Sequence, residues 1–167
     1  KGFALNAEAS EVFEEMNSLL LDVTHSEYGF IGEILHDGTQ PYLKTHAITN
    51  IAWNKETRDF YAANAPQGLE FKNLKTLFGH VIATGQPVIS NAPYHDPRKG
   101  GLPPGHPHMG CFLGMPFSLK GKLIGMVGIA NRPGGYNDTL CEEMKPLLSA
   151  CASLIEGYKL VKQKEEV

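Results

Sequence analysis

The chain has 167 residues, 42 % of them apolar and 20 % charged, the proportions of a single soluble domain able to bury one sizeable core. Its 15 basic and 18 acidic side chains leave a formal charge of −3, so no global field favours nucleic acid or contact with an anionic membrane. No apolar run approaches the ~20 residues of a membrane span, no signal peptide is visible, and three widely spaced cysteines are the pattern of reduced thiols in a cytoplasmic setting. A start at Lys1 without methionine is expected of a piece excised from a longer protein.

In chain order, Leu5, Ala9, Val12, Phe13, Met16, Leu19, Leu20 and Val23 recur at helical spacing and mark one apolar face of a first helix. Tyr28 to Leu35 and Tyr42 to Ile48 read as strands joined through His36-Asp37-Gly38-Thr39, where Asp-Gly is a strong hairpin signal. Trp53 to Ala63 reads as a further short helix. Leu74, Leu77, Phe78, Val81 and Ile82 form the apolar stripe of another, which Thr84-Gly85-Gln86-Pro87 ends. Glycine tolerates the left-handed conformation past a helix end, and proline cannot continue the helix.

A strand Val88-Ile89-Ser90 follows, then residues 91–110, too rich in Pro, Gly and His for regular structure. Loops of that length in a compact domain are usually functional or disordered. Cys111 to Leu119 and Lys122 to Ala130 form a second hairpin turning at Lys120-Gly121. In its second strand Leu123, Val127 and Ile129 are expected to face one way and Ile124, Met126 and Ala130 the other, which makes it a central strand covered on both sides. Leu140, Met144, Leu147, Leu148, Cys151, Leu154, Ile155 and Tyr158 mark the last helix. Thr139 with Glu142 forms a candidate capping box at its start, and Pro146 predicts a kink or a looser first turn. The charged stretch 159–167 reads as a helical linker leaving the domain.

Candidate chemistry concentrates in the 91–110 loop, which holds Asn91, Tyr94, His95, Asp96, Arg98, His106 and His108, with Cys111 just beyond. The segment Leu102-Pro103-Pro104-Gly105-His106-Pro107 should be stiff, because proline fixes φ and pushes its predecessor toward extended geometry. A stiff polar loop lowers the ordering cost of binding and suits a small-ligand pocket; a solvated, well-packed loop is the bland alternative. His95, His106, His108 and Cys111 are residue types that bind zinc, iron or copper, but no CxxC or HxxxH pair is present. His80 lies just off its helix's apolar stripe and reads as a satisfied core histidine sooner than a pocket residue. Cys111 at a strand start reads as a small buried hydrophobe, and the pairs Glu14-Glu15 and Glu142-Glu143 as solvated helix faces. The constellation that catalysis requires is scarcely visible.

Three stretches in order, Gly79-His80-Val81-Ile82-Ala83-Thr84-Gly85-Gln86-Pro87-Val88, Phe112-Leu113-Gly114-Met115-Pro116-Phe117 and Leu123-Ile124-Gly125-Met126-Val127-Gly128-Ile129-Ala130-Asn131, resemble a GAF domain over nearly the whole chain. The segment 101–107 is similar to a bacterial GAF subgroup found beside histidine kinases and cyclic-di-nucleotide enzymes, as in two-component and cyclic-di-GMP signalling. The resemblance implies an α+β fold, PAS-related, with a central antiparallel sheet. Terminal helices would cover one face, and a ligand-side helix with a long lid loop the other. It argues against a bilin, because His108-Met109-Gly110-Cys111-Phe112 lacks the Cys-His attachment pair. It argues against a cyclic nucleotide, because Leu140-Cys141 stand where an acidic pair belongs. Free-methionine-sulfoxide reductases of similar fold use several loop cysteines, which this loop does not supply.

The expectation is therefore a non-catalytic sensory module spanning 1–167 that binds a small polar or anionic ligand of unknown identity, with no cofactor named. The candidate contacts are Asn91, Tyr94, Asp96, Arg98, His106, His108 and Asn131, with Trp53 and Phe112 as apolar walls and Arg98 as the charge partner. Occupancy would be transmitted through the terminal helices to a covalently attached output domain, a kinase, cyclase or phosphodiesterase. The alternatives are a ligand-free dimerisation module, whose terminal helices pack across a homodimer, and a metal- or haem-binding sensor using the loop histidines.

Overall fold

The long strands come as hairpins closed by two-residue turns. A computed structural model of the chain describes residues 2–49, 55–64, 67–100 and 108–166. Its elements are α1 (Gly2–Thr24), β1 (Tyr28–Asp37), β2 (Gln40–Ile48), α2 (Lys55–Asn64), β3 (Glu70–Phe71), α3 (Leu77–Thr84), β4 (Val88–Ser90), a 3₁₀ turn at Pro93–His95, β5 (Phe112–Leu119), β6 (Lys122–Ala130) and α4 (Asp138–Glu166). Among the described residues no helix is long and apolar enough to cross a membrane.

The strands form one sheet in the order β3-β2-β1-β6-β5-β4, and every neighbouring pair is antiparallel. Asp37 pairs with Gln40, so the first turn is only Gly38-Thr39 and both strands run further than the sequence suggested. Leu119 pairs with Lys122, and Lys120 and Gly121 both take positive φ, the conformation whose twist suits a two-residue hairpin.

Each face of the sheet buries its own core. On one, α1 and α4 pack Phe13, Leu20, Met144, Cys151 and Ile155 against Ile31, Leu113, Val127 and Ile129. On the other, α3 packs Leu77, Val81 and Ile82 against Ile34, Leu43, Val88, Phe112 and Met126. The fold is thus the expected α+β arrangement, terminal helices on one side and the short helix on the other.

Four local expectations need correction. In β6 the register shifts between Phe117 and Ser118, whose partners are Gly125 and Leu123, so Ile124 is an extra, bulged residue. The bulge reverses the alternation: Ile124 joins Val127 and Ile129 on the α1–α4 side, and Leu123 joins Met126 on the α3 side. Leu74 is not helical, because α3 starts at Leu77 behind Thr76, whose hydroxyl accepts from the Gly79 amide at 3.0 Å. Leu74 packs on the α3-side core from the preceding turn.

At α4 the cap is Asn137, not Thr139: the Asn137 Oδ1 accepts from the Leu140 amide at 2.9 Å. An asparagine two residues earlier caps the helix before the proposed box can form. The helix runs as one span through Pro146, which is exposed. Lastly, the single apolar face expected of α1 is split. Phe13 and Leu20 are buried, whereas Val12, Leu19 and Val23 are 44 %, 44 % and 48 % exposed.

Candidate functional site

The site begins with how closely α3 can approach the sheet. Gly114 of β5 lies beneath Val81, and a Cβ there would stand 2.7 Å from Val81 Cγ2. Only a residue without a side chain admits the helix at that height. Gly85 at φ 66 closes α3, its N–H donating to the Val81 carbonyl at 2.8 Å. Further across the same face Phe30 of β1 lies over Gly128 of β6, where a Cβ would meet the ring at 2.4 Å. The helix therefore covers one end of the face, and the ring of Phe30 floors the other.

Between them is a cavity of about 690 Å³, within the ~300–1,000 Å³ of small-molecule pockets. Tyr28, Phe30, Leu43, Phe71, Leu77, Phe78, Tyr94, Met109 and Phe112 supply most of its wall. Phe71 and Phe78 meet edge to face with ring centroids 5.8 Å apart. The polar lining comprises Thr49, Glu70, Lys72, Asn73, Thr76 and Lys99. Gly100 and Met109, on either side of residues 101–107, both line it.

The sequence-derived candidates divide. Tyr94 and Phe112 line this cavity. Asn91, His108 and Asn131 line a second, more open pocket of about 400 Å³, with Cys111, Arg132 and the turn 133–135. Asp96 and Arg98 line neither. Trp53 and His106 lie outside the described residues. His80 is half-buried and also lines neither pocket.

Several of these side chains are spent on building the loop. Arg98 donates from Nε to Asp96 Oδ1 at 2.9 Å and from Nη2 to Asp96 Oδ2 at 2.7 Å and to the Ile89 carbonyl at 3.2 Å. The Arg98 amide also donates to Asp96 Oδ1 at 2.9 Å. These bonds from Arg98 hold the Asp96 carboxyl well below the usual carboxylate range, despite its burial. The expected ligand partner is thus a latch tying the loop to β4.

Asn91 clamps the Tyr136 backbone, donating to its carbonyl at 3.0 Å and accepting from its amide at 2.9 Å. The Tyr136 hydroxyl meets Ser26 Oγ at 2.7 Å, and burial pushes its pKa well up. Asn131, at φ 67, accepts from the Gly110 amide at 2.8 Å and donates to the His108 carbonyl at 3.1 Å. It clips the returning end of the loop to β6. His108 stacks on Tyr94 with centroids 4.9 Å apart, which joins the two pockets through one ring pair.

Cys111 is buried with Sγ 3.3 Å from the Arg132 carbonyl. Cys141 and Cys151 are buried in α4, and burial alone pushes the Cys151 thiol to about 12. Among the described residues no group of three His, Cys, Asp or Glu side chains is placed to hold a metal ion.

Sequence reasoning missed Phe30, Phe71, Lys72 and Lys99. The one local signal was the glycine at 128 inside an apolar strand, which marks a close approach by a neighbour. Phe30 arrives there through the β1–β6 register, which sets it opposite Gly128.

The same strand β1 carries Glu33 to the opposite face, where it is only 5 % exposed. His46 Nε2 lies 2.9 Å from one of its oxygens and Lys159 Nζ of α4 lies 3.5 Å from the other. Burial raises the Glu33 pKa, but the His46 hydrogen bond and the His46 and Lys159 charges outweigh it and leave the value lowered. Phe13 of α1 stacks on His46 at 4.4 Å and Tyr158 of α4 meets it edge-on at 5.2 Å.

Residues 6–156 match a family model described as GAF domain. Among solved structures, the chain is similar to the type II free methionine-R-sulfoxide reductase of Thermoplasma acidophilum, with TM-score 0.68 and 14 % identity over 92 % of this chain and 96 % of that one. It is similar to the GAF domain/HD domain protein of Geobacter sulfurreducens, with TM-score 0.66 and 14 % identity over 95 % and 98 %. The GAF domain of an Acinetobacter phosphoenolpyruvate-protein phosphotransferase gives 0.69 and 15 % over 93 % and 86 %. At these identities the likeness is one of fold. No curated protein matches the chain.

Proposed function

This chain belongs to the GAF domain family, and we propose that it is a non-catalytic sensory module of a bacterial signalling protein, reporting occupancy of the α3-side cavity through α1 and α4. The observation that carries this reading is the cavity itself, about 690 Å³ and walled by aromatic rings, large and apolar enough to bury most of a small molecule. Such walls favour a ligand with an apolar body over the small polar one that the loop's composition suggested. β1 supplies a route for the signal: Phe30 lines the cavity, and Glu33 on the same strand holds His46 and Lys159 on the other face. A shift of β1 on binding moves the anchor of α4, which leads toward an attached kinase, cyclase or phosphodiesterase. The burial of Cys111 against the Arg132 carbonyl supports the non-catalytic part of the reading.

Native mass spectrometry of the freshly purified chain, beside its denatured mass and beside Met109→Trp, tests this. A small molecule released on denaturation and missing from the variant supports the cavity as its site. A molecule retained by the variant places the ligand elsewhere. A clean mass, together with no change in Tm across a metabolite panel, overturns ligand sensing.

Dimerisation is the second reading, and one feature favours it. Val12, Leu19 and Val23 lie on one stripe of α1, and Leu160 and Val161 of α4 are 52 % and 44 % exposed. Sedimentation equilibrium should give a dimer that Leu19→Glu with Val23→Glu converts to a folded monomer. A wild-type monomer at high concentration sinks this reading.

A further inference from the structure

The walls and the charges of the cavity together narrow the ligand class. This step rests on the sensory reading above and asks what the cavity would recognise. Its faces are flat rings: Phe30 from below, the edge-to-face pair Phe71 and Phe78 at 5.8 Å, and Phe112. Rings of this kind complement a planar apolar body best.

Most neutral polar groups of the wall are already committed. Thr49 Oγ1 donates to the Gly29 carbonyl at 3.1 Å and accepts from the Gly29 amide at 3.1 Å. Thr76 Oγ1 donates to the Asn73 carbonyl at 3.2 Å and caps α3. Asn73 Oδ1 accepts from the Lys75 amide at 3.0 Å. Beside the Tyr94 hydroxyl and the Asn73 Nδ2, what remains to recognise a polar group is charge, namely Lys72, Lys99 and Glu70.

These three do not cancel. Glu70 stands opposite Lys44 in the β2–β3 register, next to Leu43 and Phe71 of the α3 side, so the strand alternation directs its side chain toward the other face of the sheet. Neither Lys72 nor Lys99 has a carboxylate partner among the described residues. The Lys72 ammonium lies over Tyr42, 5.4 Å from its centroid, and Tyr42 is not part of the cavity wall. The Lys99 ammonium lies 5.7 Å from the centroid of Tyr94, which is. The Asp96–Arg98 latch fixes the backbone beneath it, since the Lys99 amide donates to the Asp96 carbonyl at 3.1 Å. Arg98 is consumed in holding the turn, and Lys99 is the cation the turn presents.

We infer that the cavity takes a planar aromatic ligand carrying one anionic group, its rings against Phe30, Phe71, Phe78 and Phe112 and its anion at Lys99. Aromatic walls also attract cations, but Lys99 at the rim, with no carboxylate partner among the described residues, opposes one.

Three probes with one ring system separate the possibilities: 2-naphthoate, 2-naphthamide and (2-naphthylmethyl)trimethylammonium, titrated calorimetrically into the chain and its Lys99→Met, Lys99→Arg and Met109→Trp variants. The carboxylate should bind roughly five- to tenfold more tightly than the amide, as expected of a rim charge pair partly desolvated by its ligand. Lys99→Met should abolish that preference while leaving the amide's affinity alone, and Lys99→Arg should keep it. Equal binding of acid and amide, or tighter binding of the cation, overturns the anionic assignment and leaves the cavity reading intact. Naphthoate binding that survives Met109→Trp lies outside the cavity and overturns the inference. Failure of all three probes overturns the aromatic assignment, while the sensory reading then stands or falls on the native mass.

Discussion

Gly114→Ala is the sharpest test of how α3 is seated over the cavity. The added methyl would stand 2.7 Å from Val81 Cγ2, 3.2 Å from Phe112 Cε1 and 3.4 Å from Met126 Cε. Val81 and Met126 are both 0 % exposed, so neither can swing into solvent to make room. Overpacking of this kind costs about 1–3 kcal/mol. The lower unfolded-state entropy of alanine returns about 0.4–1 kcal/mol, for a net loss of roughly 1–2 kcal/mol. Val81→Ala removes two buried carbons' worth of contact and leaves a gap, at a cost of roughly 2–3 kcal/mol. If the two groups compete for one volume, the new methyl occupies the space Val81 vacates. The double variant should then fall short of the summed losses by roughly 1–2 kcal/mol. Urea unfolding of the four proteins at 25 °C measures this, with a constant m confirming that only stability changed. Additivity within about 0.5 kcal/mol would refute the seating of α3 on Gly114.

Removing the loop latch by Arg98→Leu should cost roughly 1–3 kcal/mol at pH 7, the worth of hydrogen bonds to a charged group. It should also change the response to acid. Asp96 and Glu33 both have lowered folded pKa values, so protonation favours the unfolded chain. Their contribution is complete above the ordinary carboxylate value of ~4 and is lost as pH falls below it toward the folded values. The variant should show a shallower acid loss than wild type in pH-stepped urea melts, and identical slopes would contradict the latch. At Asn131, held at φ 67, Asn131→Gly should be more stable than Asn131→Ala by about 1 kcal/mol. Both should speed hydrogen exchange at the Gly110 amide, and equal stability of the two would argue against the clip.

Much of the framework was legible because local rules decide it. The hairpins at Gly38-Thr39 and Lys120-Gly121, the stop of α3 at Gly85 and the strand at Val88–Ser90 follow from turn chemistry and side-chain period within a few residues. Where a partner elsewhere decides the outcome, the same rules failed. The bulge at Ile124 turns two side chains of β6 to unexpected faces because the β5 partner advances by only one residue there. The loop was recognised as special from its composition, and five of its described residues, Pro93, Tyr94, Lys99, Gly100 and Met109, do line the cavity. But composition cannot say that Arg98 is already satisfied by Asp96 and Ile89, or that Asn91 and Asn131 brace backbone at the second pocket.

By itself the sequence determined most of the elements and the two-sided sheet, since periodicity, glycine and proline act at short range, and its resemblance to GAF domains pointed to the family. Only the tertiary structure decided the cavity's character. Phe30, Phe71, Phe78 and Phe112 come from four separate elements, and they converge because strand register and the height of α3 over Gly114 bring them together. Which charge stays available in such a cavity depends on which charges have found partners first, and that is a property of the folded chain.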